Sequence, residues 1–295
     1  MDWLLSFPHI DRRILTALKT SVDAWFRDVA RALGSAADLV FHPLHVALGG
    51  FERFMLTVPW PLVIAFVALV AWLGSRSIKL VLGCVSIFVL IGLFDMWEDT
   101  MKTVSMIFVC SMLTIVLGIP LGIATARSER LQKAVLPLLD VMQTMPSFVY
   151  LIPVVMLLGI GRVPGLIAVV IYSLPPIIRL TNLGIRLVDR EVIEAADAFG
   201  STGRQKLFTV QLPLALPTIM AGVNQAIMMA LGMVVIAAMI GVQGLGQPVL
   251  KAIANQYFTL GVFNGLAIVG IAIVFDRISQ AYGQRLQRHR GIGRG

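Results

Sequence analysis

Charge is scarce in this chain. Asp, Glu, Lys and Arg make up 14% of its 295 residues, and only 16 residues are acidic, where a soluble domain carries about 25% charged residues. Cysteine is scarcer still. Cys84 and Cys110 both sit in apolar stretches, which excludes a disulfide framework and a thiolate metal cluster and leaves small buried side chains as their expected role. The four histidines, His9, His42, His45 and His289, form no recognised metal motif. No glycine-rich loop ends in Gly-Lys-Ser/Thr, so the chain has no phosphate-cradling loop of its own. No spacing of hydroxyls, acids and histidines marks a nucleophile with its base. The expectation is a non-enzyme with no cofactor and no metal. The opening MDWLLSFPHIDRR lacks the basic-then-apolar order of a cleavable leader.

What the chain has is apolar length. Hydrophobic residues make up 58% of it and mean hydropathy is +0.87. Those values predict an all-α polytopic membrane protein. Seven stretches read as spans: 59–75, 77–95, 101–126, 134–159, 162–181, 215–241 and 261–281. Before them, residues 1–56 place Ile14, Leu18, Val22, Trp25, Val29 and Leu33 at helical spacing among charges. That fits an amphipathic helix on the membrane surface, with a second short element from Leu44 to Leu56 after Pro43. A helical hairpin buried against the bundle is the alternative. Gly118 and Gly122 of the third span permit close helix contact, while Pro120, Pro146, Pro153 and Pro175-Pro176 predict bent or interrupted helices inside a protein bundle. Trp60, Trp72 and Trp97 suit the membrane interface.

The net charge of +8 is spread over loops and termini, which points to anionic lipid and topology rather than nucleic acid. Arg76 and Lys79, then Arg127, Arg130 and Lys133, then Arg186, Arg190, Arg204 and Lys206, then the C-terminal arginines, occupy alternate loops. The intervening loops hold Asp95, Glu98 and Asp99, or a lone Arg162 or Lys251. The positive-inside rule puts 182–214 and the C-terminus in the cytoplasm and the N-terminus outside. Arg12, Arg13, Lys19, Arg27, Arg31 and Arg53 run against that last placement.

The longest polar interruption is Arg190 to Pro213. Residues 190–198 favour a short helix, Gly200 and Gly203 supply a turn, and 204–210 allow a second helix stopped by Leu212-Pro213. Ala195, Ala196 and Ala198 would let another surface approach the backbone closely; an ordinary interfacial turn fits the same residues. Within the spans, Gln143, Tyr172, Ser173, Asn224, Gln225 and Asn264 are candidates to line a solute path, since polar groups in apolar spans must find partners or water. Interhelical hydrogen bonding is the other role open to each. Tyr172 also offers an aromatic face to a quaternary ammonium.

Glu194-Ala195-Ala196, three residues, Gly200, nine residues, Val210, one residue, then Leu212-Pro213 closely resembles the EAA signature of bacterial ABC importer permeases. The resemblance covers roughly residues 95–281, leaving 1–56 as an N-terminal extension, 57–94 as two additional spans and 282–295 as a basic tail. The runs Gln143-Thr144-Met145-Pro146-Ser147 and Tyr172-Ser173-Leu174-Pro175-Pro176-Ile177-Ile178-Arg179 resemble the glycine betaine/proline betaine/choline subfamily. The resemblance implies a bacterial inner-membrane subunit paired with a second copy, two cytoplasmic ATPase subunits and an extracytoplasmic binding protein that delivers a small quaternary ammonium solute. It implies that Glu194, Ala195, Ala196, Gly200, Val210, Leu212 and Pro213 mark the loop contacting the ATPase. A permease for another small organic solute, an ion-driven secondary transporter and a non-transporting scaffold are the competing classes.

Overall fold

A computed structural model describes residues 10–288, apart from the side chains of 33–40, 284 and 286–288. The basic tail beyond 288, together with His9, His289 and the side chain of Leu33, lies outside that description. In chain order the helices are α1 (Arg12–Thr57), α2 (Trp60–Ser75), α3 (Ile78–Leu93), α4 (Trp97–Arg127), α5 (Glu129–Thr144), α6 (Leu151–Leu158), α7 (Arg162–Arg186), α8 (Arg190–Ala198), α9 (Gly203–Gln205), α10 (Leu212–Ala237), α11 (Gly246–Asn255) and α12 (Phe258–Arg288). No strand occurs among the described residues.

Helix α7 is the post of the bundle. It continues through Pro175 and Pro176 because both are buried among neighbouring helices, where the lost backbone donors do not face lipid. Helix α4 runs parallel to it. The register is laid down by Cys110 Sγ at 3.9 Å from Leu166 O, Thr114 Oγ1 at 2.9 Å from Ser173 Oγ, and Asn182 Nδ2 donating to Thr125 Oγ1 at 3.1 Å. Between these contacts Gly118 and Gly122 let the two backbones close. A Cβ on Gly122 would lie 2.5 Å from Thr181 Cβ and 2.9 Å from Ile178 O. On the other side α10 runs antiparallel, with a Cβ on Gly222 meeting Leu180 Cβ at 3.0 Å and Ile177 Cα at 3.3 Å. Lipid gives apolar helices no hydrophobic reason to associate, so small residues that maximise van der Waals contact hold them together. Outward faces carry exposed Phe66, Leu69, Leu82, Leu93, Leu266 and Ile273, an apolar girdle suited to acyl chains.

Four helices, Trp97–Arg127, Arg162–Arg186, Gly203–Ile240 and Phe258–Gly283, are each long and apolar enough to cross a membrane, and two bent pairs raise the number to six. Helix α3 is shorter, 16 residues or about 24 Å. The predicted stretch 134–159 is not one straight helix. It divides at Met145-Pro146 into α5 and a second arm, Ser147–Leu158, turned by 115°, because Pro146 cannot donate and holds Met145 extended. The break expected at Pro43 is absent: α1 runs through it and then meets α2 at 106°. Nor does Leu212-Pro213 stop a helix. Residues Lys206–Gln211 form a π-helical stretch in which Leu212 N–H reaches back to Leu207 O, and the widened turn seats Pro213 at the start of α10.

Helix α11 falls where a plain loop was expected. It follows Gly241 and Gly244, whose φ values of 90° and 127° are open to glycine, and the loop is pinned by Leu245 N–H donating to buried Thr103 Oγ1 at 2.9 Å. Replacing Thr103 by Val keeps the volume but orphans that donor. We expect a loss of about 1–3 kcal/mol, read as faster hydrogen exchange confined to residues 241–246.

Candidate functional site

At the end of the bundle where α4 and α7 finish, a polar network closes the packing. Thr125 and Asn182 are buried; Gln132 Nε2 donates to Asn182 Oδ1 at 3.4 Å, and Arg186 Nη2 to Thr125 O at 3.4 Å. Beyond it projects α8. Asp189 caps its start by accepting from Glu191 N–H at 3.0 Å. At its end, Gly200 N–H bonds Asp197 O at 2.9 Å and Ser201 N–H bonds Ala196 O at 3.0 Å. That pair of bonds, with Gly200 at φ 74°, is a Schellman closure. Gly200 is thus needed for backbone conformation, since a Cβ there would meet nothing within 4 Å. Gly200→Ala should cost about 1–2 kcal/mol at this helix end and leave the spans unchanged, seen as local exchange at 196–201.

Helix α8 has no buried residue. Val192, Ala195 and Phe199 form an exposed row at helical spacing, with Phe199 90% exposed; Glu194 is also exposed, while Ala196 is half-buried on the side facing the protein. The element is tied down by Lys206 Nζ bonding both Asp197 oxygens, at 2.5 and 2.7 Å. Thr202 and Gln205 cap the next turn reciprocally. Val210, Leu212 and Pro213 are half-buried and lie behind α8 rather than on its outer face. Leu207, which is buried, joins Ile185, Ala215 and Ile219 in one apolar cluster with Ile119, Ile123 and Leu212 packed on it. That cluster joins α4, α7 and α10, and α8 is linked to the stretch carrying Leu207 by the Asp197–Lys206 ion pair. Phe199 was not singled out in the sequence; a large aromatic in a polar turn was the available signal.

The candidate path residues separate into two groups. Ser173 is fully buried and shares its hydroxyl with Thr114. Asn224 Nδ2 donates to Asp276 Oδ1 at 2.9 Å, and Asn264 Nδ2 to Leu260 O at 2.9 Å. The Tyr172 ring meets Tyr150 edge-on at 5.6 Å. Ser173, Asn224 and Tyr172 thus join separate helices, while the bond of buried Asn264 stays within α12. Gln143 on α5 and Gln225 on α10 are exposed, and they alone of the six keep their side chains free of the core packing.

Two ion pairs link positions far apart in sequence. Glu52, buried in α1, accepts from Arg162 Nη1 at 2.9 Å, and Arg162 Nη2 donates to Gln243 Oε1 at 2.6 Å. The pair fastens the N-terminal helix over the end of the bundle opposite α8. Asp140 of α5 pairs with Arg179 of α7. Neither pair was read from the sequence.

A bundle of broken and glycine-packed apolar helices with an exposed, capped helix between two of them defines an all-α polytopic membrane protein. The chain belongs to the family of binding-protein-dependent transport system inner membrane components, whose model matches residues 118–288. It is 50% identical over 300 aligned positions to the glycine betaine/proline betaine transport system permease protein ProW of Escherichia coli strain K12, covering 98% of this chain and 84% of that one. It is 47% identical over 234 positions to the glycine betaine/carnitine transport permease protein GbuB of Listeria monocytogenes, covering 79% of this chain and 83% of that one. Among solved structures, inward-facing MetNI methionine ABC transporter resembles it with a TM-score of 0.57 at 20% identity, over 63% of this chain and 93% of the matched chain; that likeness concerns the fold.

Proposed function

We propose that this chain is the permease subunit of an ABC importer carrying glycine betaine or proline betaine inward across the bacterial cytoplasmic membrane. The observation that carries this reading is the half-identity to a glycine betaine/proline betaine permease along nearly the whole chain. The exposed α8 supplies the physical counterpart. In this reading α8 is the ATPase-coupling element, with Glu194, Ala195, Ala196 and Gly200 on or closing the contacted helix, and Val210, Leu212 and Pro213 buttressing it. Two copies of the chain stand side by side over two ATPase subunits, and an extracytoplasmic binding protein delivers the solute at the opposite end. Helix α8 then faces the cytoplasm and the junction of α1 with α2 faces outward, as the alternating loop charges favour.

Transport is vectorial and breaks no bond in the solute. ATP binding closes the ATPase pair and displaces α8. The Leu207 cluster passes that displacement to α7 and α10, and the tight α4–α7 packing makes the helices move as a body rather than flex. Binding energy of the nucleotide biases one arrangement over the other only because α8 is held differently in the two. The test is uptake of labelled glycine betaine into proteoliposomes holding the complete transporter. Entry that requires both ATP and the binding protein supports the assignment. Entry that persists with a disabled ATPase, or no entry with every partner assembled, overturns it.

A further inference from the structure

Helix α5 is out of character for a membrane helix. At 100° per residue, Glu129, Gln132, Lys133, Asp140, Gln143 and Thr144 fall within a stripe roughly 120° wide, about 22 Å long at 1.5 Å per residue. The opposite side carries Leu138 and Val141, both exposed, while Leu139 is buried against Ile177, Ile178 and Val223. Leu136 falls in the same stripe and packs on that cluster, and of the six polar residues all but Gln132 are exposed. Asp140 lies about 16 Å along α5 and Arg179 about 10 Å from the end of α7, both within stretches that read as spans, 134–159 and 162–181.

The Asp140–Arg179 pair is open to one side. The Asp140 side chain is 63% exposed and that of Arg179 35%, while Arg179 Nε is buried with no hydrogen-bond partner. A carboxylate turned to acyl chains costs several kcal/mol, so an open charged pair in the apolar band faces water or protein. Water along the stripe also satisfies Gln143 and Thr144. A quaternary ammonium with a carboxylate on a short tether carries the complementary charges: Asp140 for the cation, the Arg179 fork for the carboxylate.

Resting on the transport reading above, we propose that the polar stripe of α5 is a wall of the solute path, and that the Asp140–Arg179 pair is the contact that opens to a zwitterionic quaternary ammonium solute. The pair closes on itself when the path is empty, which keeps two charges in the membrane compensated between cargoes. Bound solute exchanges one intramolecular ion pair for two intermolecular ones, so the contact is weak enough to release.

The test uses the complete transporter in proteoliposomes and a thiol reagent with a trimethylammonium head, which copies the solute cation. The native thiols Cys84 and Cys110 are buried. Gln143→Cys and Thr144→Cys should react at least about tenfold faster than Leu138→Cys, and glycine betaine delivered by the binding protein should slow the first two. Asp140→Asn should lower uptake by about tenfold or more while the transporter still co-purifies with its ATPase. Stripe cysteines as inert as Leu138→Cys, or Asp140→Asn uptake equal to the parent, overturn the inference. Loss of co-purification in Asp140→Asn marks a structural tether and overturns it as well. Parent transporter that takes up glycine betaine in the same vesicles separates any of these failures from a failure of the transport reading.

Discussion

Glu194→Lys should lower ATP-driven uptake at least about tenfold, an effect of ~1.4 kcal/mol or more on the coupled step, with the permease at parental abundance in the membrane. The substitution does not touch the fold: Glu194 is exposed and α8 buries none of its residues. Its cap at Asp189, its Schellman end at Gly200 and the Asp197–Lys206 tie are all left in place. What changes is the sign of charge on the helix proposed to meet the ATPase. Reversing a charge that is desolvated in a contact costs about 2–5 kcal/mol, whereas the same change on an ordinary exposed turn costs less than about 0.5 kcal/mol and leaves uptake alone. Measuring uptake, ATP hydrolysis and ATPase co-purification on one preparation distinguishes a lost contact from a lost fold. Normal flux with normal association removes Glu194 from the coupling surface.

The second large effect lies in the spans. Gly122→Ala should destabilise the chain more than Gly118→Ala, although the two glycines sit one turn apart on the same face of α4. A methyl at 118 meets Ile177 Cγ2, the branch methyl of a fully buried side chain, which must change rotamer to clear it, but no backbone atom is among its three nearest neighbours. A methyl at 122 meets Thr181 Cβ at 2.5 Å and the backbone oxygen of Ile178 at 2.9 Å, and neither yields without moving α7. Overpacking of this kind costs about 1–3 kcal/mol, and Gly122→Leu should exceed that range and leave little assembled transporter. Thermal stability in detergent and the amount of ATPase retained on the purified permease read the difference. Equal stability of the two alanine variants would show that α4 and α7 are not locked at residue 122.

Much of this molecule is written locally. The runs 101–126, 162–181, 215–241 and 261–281 became long helices because uninterrupted apolar sequence in a membrane has one way to satisfy its backbone. Gly200 announced its turn, and its φ of 74° explains why glycine stands there. Elements whose shape depends on a partner were less legible. Pro43 sits inside α1 without ending it, Leu212-Pro213 starts a helix where it was expected to stop one, and α11 was concealed in a stretch carrying three glycines and Lys251. The pairs Glu52–Arg162 and Asp140–Arg179 join residues 110 and 39 positions apart, and no local pattern specifies such a match. For the same reason Ser173, Asn224 and Asn264 carried the same polar signal as Gln143, and the three-dimensional packing separated them.

The central claim is that α8 is the surface through which ATP hydrolysis drives the spans. A photo-crosslinker attached at Phe199→Cys, in membranes containing the assembled transporter, tests it most directly. Phe199 is 90% exposed, with Phe66→Cys on the outward face of α2 as the control. One crosslinked product of permease with ATPase is expected from position 199, its yield changing between nucleotide-free and ATP-bound states, and none from position 66. Crosslinking from position 199 to lipid alone, or to the ATPase with a yield indifferent to nucleotide, would contradict it.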